Sequence, residues 1–270
     1  MSQTTLVLRN PHSVLAAILT RPRDVIQVTV PGALSDRDSK SPQDAPVGRD
    51  AWLKVVQAAR SAGIPVTSGG GGGKPSPRSD RDAGKSQQGG RLGASSEALV
   101  KERVGISAEE VFRGASERVE GKGLWLALDC LTDPQNVGAI FRTASFFGVQ
   151  GIVLTQERSA PLTGSVYDVA AGGVEHVPFV QATNLQRAFE VAKDAGLWIL
   201  GTSEHAKQGL RSIERDRPWL LVLGNEEKGM RRLTEESCDV VCQVAPRGDV
   251  TSLNVSVAAG VLISKLSGAV

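Results

Sequence analysis

Residues 124–155 read LWLALDCLTDPQNVGAIFRTASFFGVQGIVLT, and this stretch decides the fold class. Two apolar runs, LWLALD at 124–129 and GIVLT at 151–155, flank the helical segment NVGAIFRTASFFG at 136–148. Strands that are apolar throughout suit a mainly parallel sheet covered by helices on both faces.

The alternation continues downstream. A helix NLQRAFEVAKDAG (184–196), strands LWILG (197–201) and WLLVLG (219–224), a helix starting near Met230, a strand VVCQVA (240–245) and a helix SLNVSVAAGVLISKL (252–266) follow in turn. Strands and helices taking turns predict an α/β domain over residues 123–270. Ligands of such sheets gather beyond the C-terminal ends of the strands.

Upstream, residues 5–67 read as a small α/β unit built from TLVLR, SVLAAILT, IQVTV, WLKVVQAARSAG and IPVT, with Gly63 stopping the second helix. Residues 68–93 change abruptly to glycine, serine, proline, glutamine and basic residues, which predicts a disordered insertion. A short helix and strand near 95–111 are expected to complete a first domain at 1–112. Residues 113–122 then read as a linker.

Composition limits the function only broadly. A chain of 270 residues, 40% hydrophobic and 22% charged, has room for two globular domains, and a net charge of +2 does not announce a nucleic-acid binder. Three cysteines, Cys130, Cys238 and Cys242, form no disulfide framework, and without a second pair or nearby His they do not make a zinc site. No metal is expected. The opening MSQTTLVLRNPHSVL has neither the charged leader nor the apolar run of a signal peptide, and no segment reaches the ~20 apolar residues of a membrane span. A soluble, cytoplasmic protein without membrane partners is expected.

Three motifs carry chemistry. In DPQNVGAIFRTA, Asn136 and Arg142 lie six apart on one helix, and Arg142 stands in an otherwise apolar stretch, which asks for an anionic or hydrogen-bonding partner. A capping Asn and a snorkelling Arg would explain the same residues without function.

In LLVLGNEEKGMRRL, Gly224 and Gly229 have the spacing of a phosphate-binding loop, so nucleotide hydrolysis competes. Met230 and Arg231 stand where that loop needs Lys and Ser or Thr, and Glu226 and Glu227 would face the phosphates. A phosphate-free adenosine ligand with a cationic centre suits the loop better. In DVTSLNVSVAAG, Ser252 and Asn254 open the last helix, where Thr251 or Ser252 is the simple candidate for its N-cap.

The three motifs in this order, in the runs TDPQNVGAIFRTA, ERSAPLT, GNEEKGMRRLTEESCD and SLNVSVA, resemble the SpoU branch of the SPOUT RNA 2′-O-methyltransferases, and bacterial 23S rRNA guanosine-2′-O-methyltransferases in particular. The resemblance implies a C-terminal deep trefoil knot, a homodimer, and S-adenosylmethionine held largely by main-chain groups at Gly201, Leu223, Gly224, Val244, Ser252 and Leu253. It implies RNA as substrate, with rRNA ahead of tRNA. The first domain resembles a ribosomal-protein-like RNA-binding domain through NPHSVLAAI, although Arg103, Val104 and Gly105 stand where the family often has His-Gln-Gly.

Methyl transfer to a ribose 2′-hydroxyl needs positioning and stabilisation of a developing alkoxide. The resemblance gives Arg142 the central role. Because a guanidinium is almost never deprotonated, it is expected to act as a cation that grips phosphate and ribose. Asn136 is expected to orient the ribose, Glu226 to fix Arg142 or the active loop, and Asn254 to order the knot and the substrate edge. A catalytically inactive RNA-binding protein of the same fold is the alternative.

Overall fold

The computed structural model describes residues 4–35, 49–69, 96–117 and 123–268. The chain divides into two compact units, 1–101 and 102–270.

The first unit carries β1 (Thr5–Leu8), α1 (Pro11–Thr20), β2 (Val25–Pro31), α2 (Gly32–Ser35), α3 (Arg49–Ser61), β3 (Val66–Gly69) and β4 (Glu97–Lys101). Its sheet has the order β1-β4-β2-β3, parallel only between β2 and β3. Asn10 starts α1 by accepting the His12 N–H, and Pro11 fills the first turn, where a missing N–H costs nothing. Helices α1 and α3 pack together over a core of Leu8, Val14, Val28, Val55 and Val100.

The second unit carries α4 (Ala108–Val111), β5 (Leu124–Leu128), α5 (Pro134–Phe146), β6 (Gly151–Thr155), α6 (Gly164–Ala170), α7 (Gly173–His176), β7 (Phe179–Ala182) and α8 (Leu185–Asp194). It continues with β8 (Trp198–Thr202), β9 (Gln208–Gly209), β10 (Trp219–Leu223), α9 (Arg232–Glu236), β11 (Val240–Gln243) and α10 (Val255–Ser267). Seven strands form one sheet in the order β7-β6-β5-β10-β8-β11-β9, and every neighbouring pair is parallel. All five residues of β5, β6 and β10 are buried, as strands covered on both faces must be.

Successive strand residues point to opposite faces, so the sheet feeds two cores. Trp125, Ala127, Val153, Leu220 and Val222 pack with Phe112 and with Leu185 and Phe189 of α8. On the helix layer formed by α5, α6, α7 and α10, α5 is the hub that touches the other three.

Four expectations need correction. The division falls after Lys101 instead of after residue 112, because Val111, Phe112 and Ala115 are buried in the second unit's core. The expected linker at 113–122 therefore begins inside that core, and its residues 118–122 lie outside the described residues. The insertion expected at 68–93 starts later, since Ser68 and Gly69 pair with Val30 and Pro31 as the end of β3; residues 70–93 lie outside the described residues. Neither Thr251 nor Ser252 caps the last helix: Asn254 does, accepting from the N–H groups of Ser256 and Val257. Helices α6 and α7 and strands β7 and β9 are additions to the sequence reading.

Candidate active site

The C-terminal ends of β8, β10 and β11 open into a cleft of about 700 Å³. Thr202, Leu223, Gly224, Gln243 and Val244 line it, and Ser252, Leu253 and Asn254 line it from the segment leading into α10. Of the six residues expected to hold a cofactor, five line this cleft. Gly201 does not. It is buried, and a Cβ there would fall 2.8 Å from Met230 Cε and 2.7 Å from Cys238 Sγ. Gly201 therefore seats Met230, which does line the cleft.

The loop between β10 and α9 is built by close approach. A Cβ on Gly224 would lie 2.3 Å from the Met230 nitrogen, so only glycine lets the strand exit beneath the returning chain. Asn225 and Gly229 exchange backbone hydrogen bonds at 3.0 and 2.9 Å, and Gly229 takes φ +68°. Asn225 Oδ1 accepts from the N–H groups of Glu227 and Lys228, both at 3.1 Å. The amides of Asn225, Glu227, Lys228 and Gly229 are thus spent inside the loop.

Three polar residues from three elements meet at one side of the cleft. Asn254 Nδ2 donates to Asn136 Oδ1 at 3.0 Å, and Asn136 Nδ2 donates to Glu226 Oε1 at 3.2 Å. The Glu226 carboxylate also accepts from Asn225 Nδ2 at 3.2 Å and, at longer range, from the backbone N–H groups of Thr132 and Asp133 at 3.5 and 3.4 Å. The amides run in one donor-to-acceptor direction, so each member fixes the next. Glu226 consequently holds the 132–133 loop and Asn136, and not Arg142. Asn136, at 5% exposure, donates to Glu226 and accepts from Asn254, and so joins the elements around it.

Arg142 lies six residues further along α5, roughly 9 Å of helix rise from Asn136. It is exposed, does not line the cleft, and makes no hydrogen bond or ion pair among the described residues. The anionic partner that the sequence asks for is not supplied by those residues.

One pair escaped the sequence reading. Asp129, fully buried at the end of β5, accepts from the Arg231 backbone N–H at 2.9 Å and from Arg231 Nε at 2.7 Å. An ionisable residue directly after five buried apolar ones was the available signal. Cys130, next in the chain, takes φ +59° and donates its N–H to Thr155 Oγ1.

Burial pushes the Cys238 thiol up to about 12, helped by Asp239 and Glu235, and the Cys242 thiol up to about 11. Both stay neutral and unreactive at ordinary pH. Among the described residues, no cluster of three or more His, Cys, Asp or Glu could hold a metal ion.

The profile of the SpoU rRNA Methylase family matches residues 123–264. The chain is 44% identical over 161 residues to the 23S rRNA (guanosine-2′-O-)-methyltransferase RlmB of Pseudomonas aeruginosa, covering 60% of this chain and 65% of that protein. It is 41% identical over 155 residues to the putative TrmH family tRNA/rRNA methyltransferase YacO of Bacillus subtilis, covering 57% and 62%. The matches thus span under two thirds of these curated relatives. Among solved structures, the SpoU methyltransferase AviRb from Streptomyces viridochromogenes has the same fold at a TM-score of 0.71, with 17% identity over 98% of this chain and 89% of that one. The AdoMet-bound rRNA methyltransferase from Sinorhizobium meliloti follows at 0.69, with 16% identity over 98% and 88%.

Proposed function

We propose, since the chain belongs to the SpoU rRNA Methylase family, that it transfers a methyl group from S-adenosylmethionine to a ribose 2′-hydroxyl of RNA, at a guanosine of 23S rRNA. The observation that carries this reading is the hydrogen-bonded chain from Asn254 through Asn136 to Glu226, which ties the segment before α10, the first turn of α5 and the β10–α9 loop together at one side of the cleft.

The residues present fit the cofactor. Glu204, Glu226, Glu227 and Glu235 line the cleft against Lys228 and Arg247, which favours a cationic ligand, and four of the loop amides are engaged internally, which disfavours a phosphate tail. Leu223, Gly224, Val244, Ser252 and Leu253 would hold it. When bound, S-adenosylmethionine supplies an electrophilic methyl on a sulfonium centre.

The chain's own residues then have separable tasks. Arg142, exposed and without a partner among the described residues, is available to grip the phosphate and ribose and to favour the alkoxide as the hydroxyl loses its proton. Glu226, Asn136 and Asn254 position the elements at the side of the cleft. RNA is the polymer that has a 2′-hydroxyl to accept the group.

The same reading extends to the assembly. The first unit serves as an RNA substrate-binding domain, and the C-terminal segment forms a trefoil knot. Val250, Leu253, Val257 and Val261 are exposed, the last two four apart on one face of α10, which supports a homodimer through that helix. Among the described residues no helix is long and apolar enough to cross a membrane. A cytoplasmic location follows from rRNA as the substrate.

Mass-spectrometric mapping of 2′-O-methylation, with the gene present and absent, tests the proposal. Loss of one methylated guanosine in 23S rRNA is expected. A change confined to tRNA would move the substrate, as the name of the Bacillus subtilis relative allows. Calorimetry showing tight ATP binding and no S-adenosylhomocysteine binding would overturn the activity.

A further inference from the structure

We propose that Arg231 is a preset phosphate-binding residue for the RNA substrate, oriented by the buried carboxylate of Asp129. This rests on the reading of the cleft as an RNA methyltransferase site.

The geometry separates the two ends of the guanidinium. Asp129 Oδ1 takes Nε at 2.7 Å, while Oδ2 takes the backbone N–H of the same arginine at 2.9 Å. A carboxylate that met the guanidinium edge-on with both oxygens would use up a terminal nitrogen as well. Here the second oxygen is occupied by the main chain. Nη1 and Nη2 make no hydrogen bond among the described residues, and the Arg231 side chain is 45% exposed over a carboxylate that is 0% exposed.

Neighbouring arginines are spent differently. Arg232 gives Nη1 to Glu236 one turn along its own helix, and Arg217 places both Nε and Nη2 on Asp216. Arg231 directly follows Met230, which lines the cleft, and its anchor ends the strand that runs into the 132–133 loop held by Glu226. A guanidinium pinned through Nε at that edge offers two outward donors with little rotamer freedom left to lose. Two parallel N–H donors match the oxygens of one phosphodiester.

The test compares Arg231→Gln, Arg231→Lys and the control Arg232→Gln on full-length protein, with in vitro transcribed 23S rRNA as probe. RNA affinity is measured across a salt series, beside S-adenosylhomocysteine affinity and melting temperature. Lysine can still meet Asp129 but then has no second donor edge for a phosphate. Both Arg231 variants are therefore expected to weaken RNA binding about tenfold and to lower the slope of log affinity against log salt by about 0.7–0.9. Arg231→Lys should keep wild-type cofactor affinity and melting temperature, and Arg232→Gln should leave the slope unchanged. Restoration of RNA affinity and slope by lysine would reduce Arg231 to a structural clamp and overturn the proposal, as would an unchanged slope in Arg231→Gln. If the wild type binds the transcript with an Arg231-dependent slope yet methylates no RNA, the contact stands and the activity falls. If it binds no RNA, both fall.

Discussion

The two edges of the seven-stranded sheet are built from opposite materials. At the edge where strands begin, Trp198 and Trp219 open β8 and β10 side by side, ring to ring at 6.3 Å, and Arg217 lies over Trp198 at 4.3 Å. Trp219 is buried and its Nε1 donates to the Glu214 carbonyl, while Trp198 stays 43% exposed beneath Arg217. At the edge where strands end, polar side chains link loops instead: Asp129 with Arg231, and Asn254 with Asn136 and Glu226. One edge is fastened by area and stacking, the other by directional bonds around a cleft. Stability and chemistry should therefore respond to different substitutions.

Breaking the packed edge has the largest expected effect. Trp219→Ala removes a side chain left 5% exposed and should cost about 3–5 kcal/mol of folding stability, read by urea denaturation, while the protein that remains folded keeps its cofactor affinity. Loss of cofactor binding in that folded fraction would erase the contrast between the edges. Arg142→Ala should do the reverse. Turnover should drop about a hundredfold or more, roughly 3 kcal/mol, in single-turnover methylation, with melting temperature and cofactor binding unchanged. Near-normal turnover would remove Arg142 from the chemistry.

Gly224→Ala sharpens the comparison within the cleft. Its Cβ would press on the Met230 nitrogen, so the expected cost is about 1–3 kcal/mol of stability together with weakened S-adenosylhomocysteine binding by calorimetry. Asn254→Ala is milder, at about 1 kcal/mol for the lost cap. Asn254→Asp should recover that stability, since it still accepts from Ser256 and Val257, but not the turnover, since it cannot donate to Asn136. Equal recovery of both would reduce Asn254 to a cap. The smallest effect is alkaline. The buried Cys242 thiol is raised from about 9 to about 11, so the folded state holds a proton the unfolded chain releases, and that contribution is complete below pH 9 and lost as pH rises through 11. The urea midpoint should decline over that window, less steeply in Cys242→Ala.

Much of the second unit could be read directly from residues 124–266, because its central strands β5, β6 and β10 are buried on both faces and its longer helices carry a 3.6-residue pattern. Helices α6 and α7 escaped because Gly164–Ala170 and Gly173–His176 are short and divided by the left-handed turn at Ala171 and Gly172. The unit boundary was misjudged because nothing local in Val111, Phe112 and Ala115 says which core will take them. Residue types and spacing also singled out Asn136, Glu226 and Asn254, but not that they touch.

The sequence by itself determined the central strands β5, β6, β8, β10 and β11, the longer helices between them, and which loops carry polar groups worth attention. These follow from periodicity and from glycine or carboxylate placed at a strand end, all properties of neighbouring residues. Tertiary structure alone decided that residues 90 and 118 positions from Asn136 become its hydrogen-bond partners, and that Asp129 orients a side chain 102 positions away. The physical reason is that a parallel sheet gathers the ends of distant strands at one edge. There a buried amide or carboxylate must be satisfied by whatever the strand order brings beside it, and that order, β5-β10-β8-β11 at the cleft, is written in no local stretch of the chain.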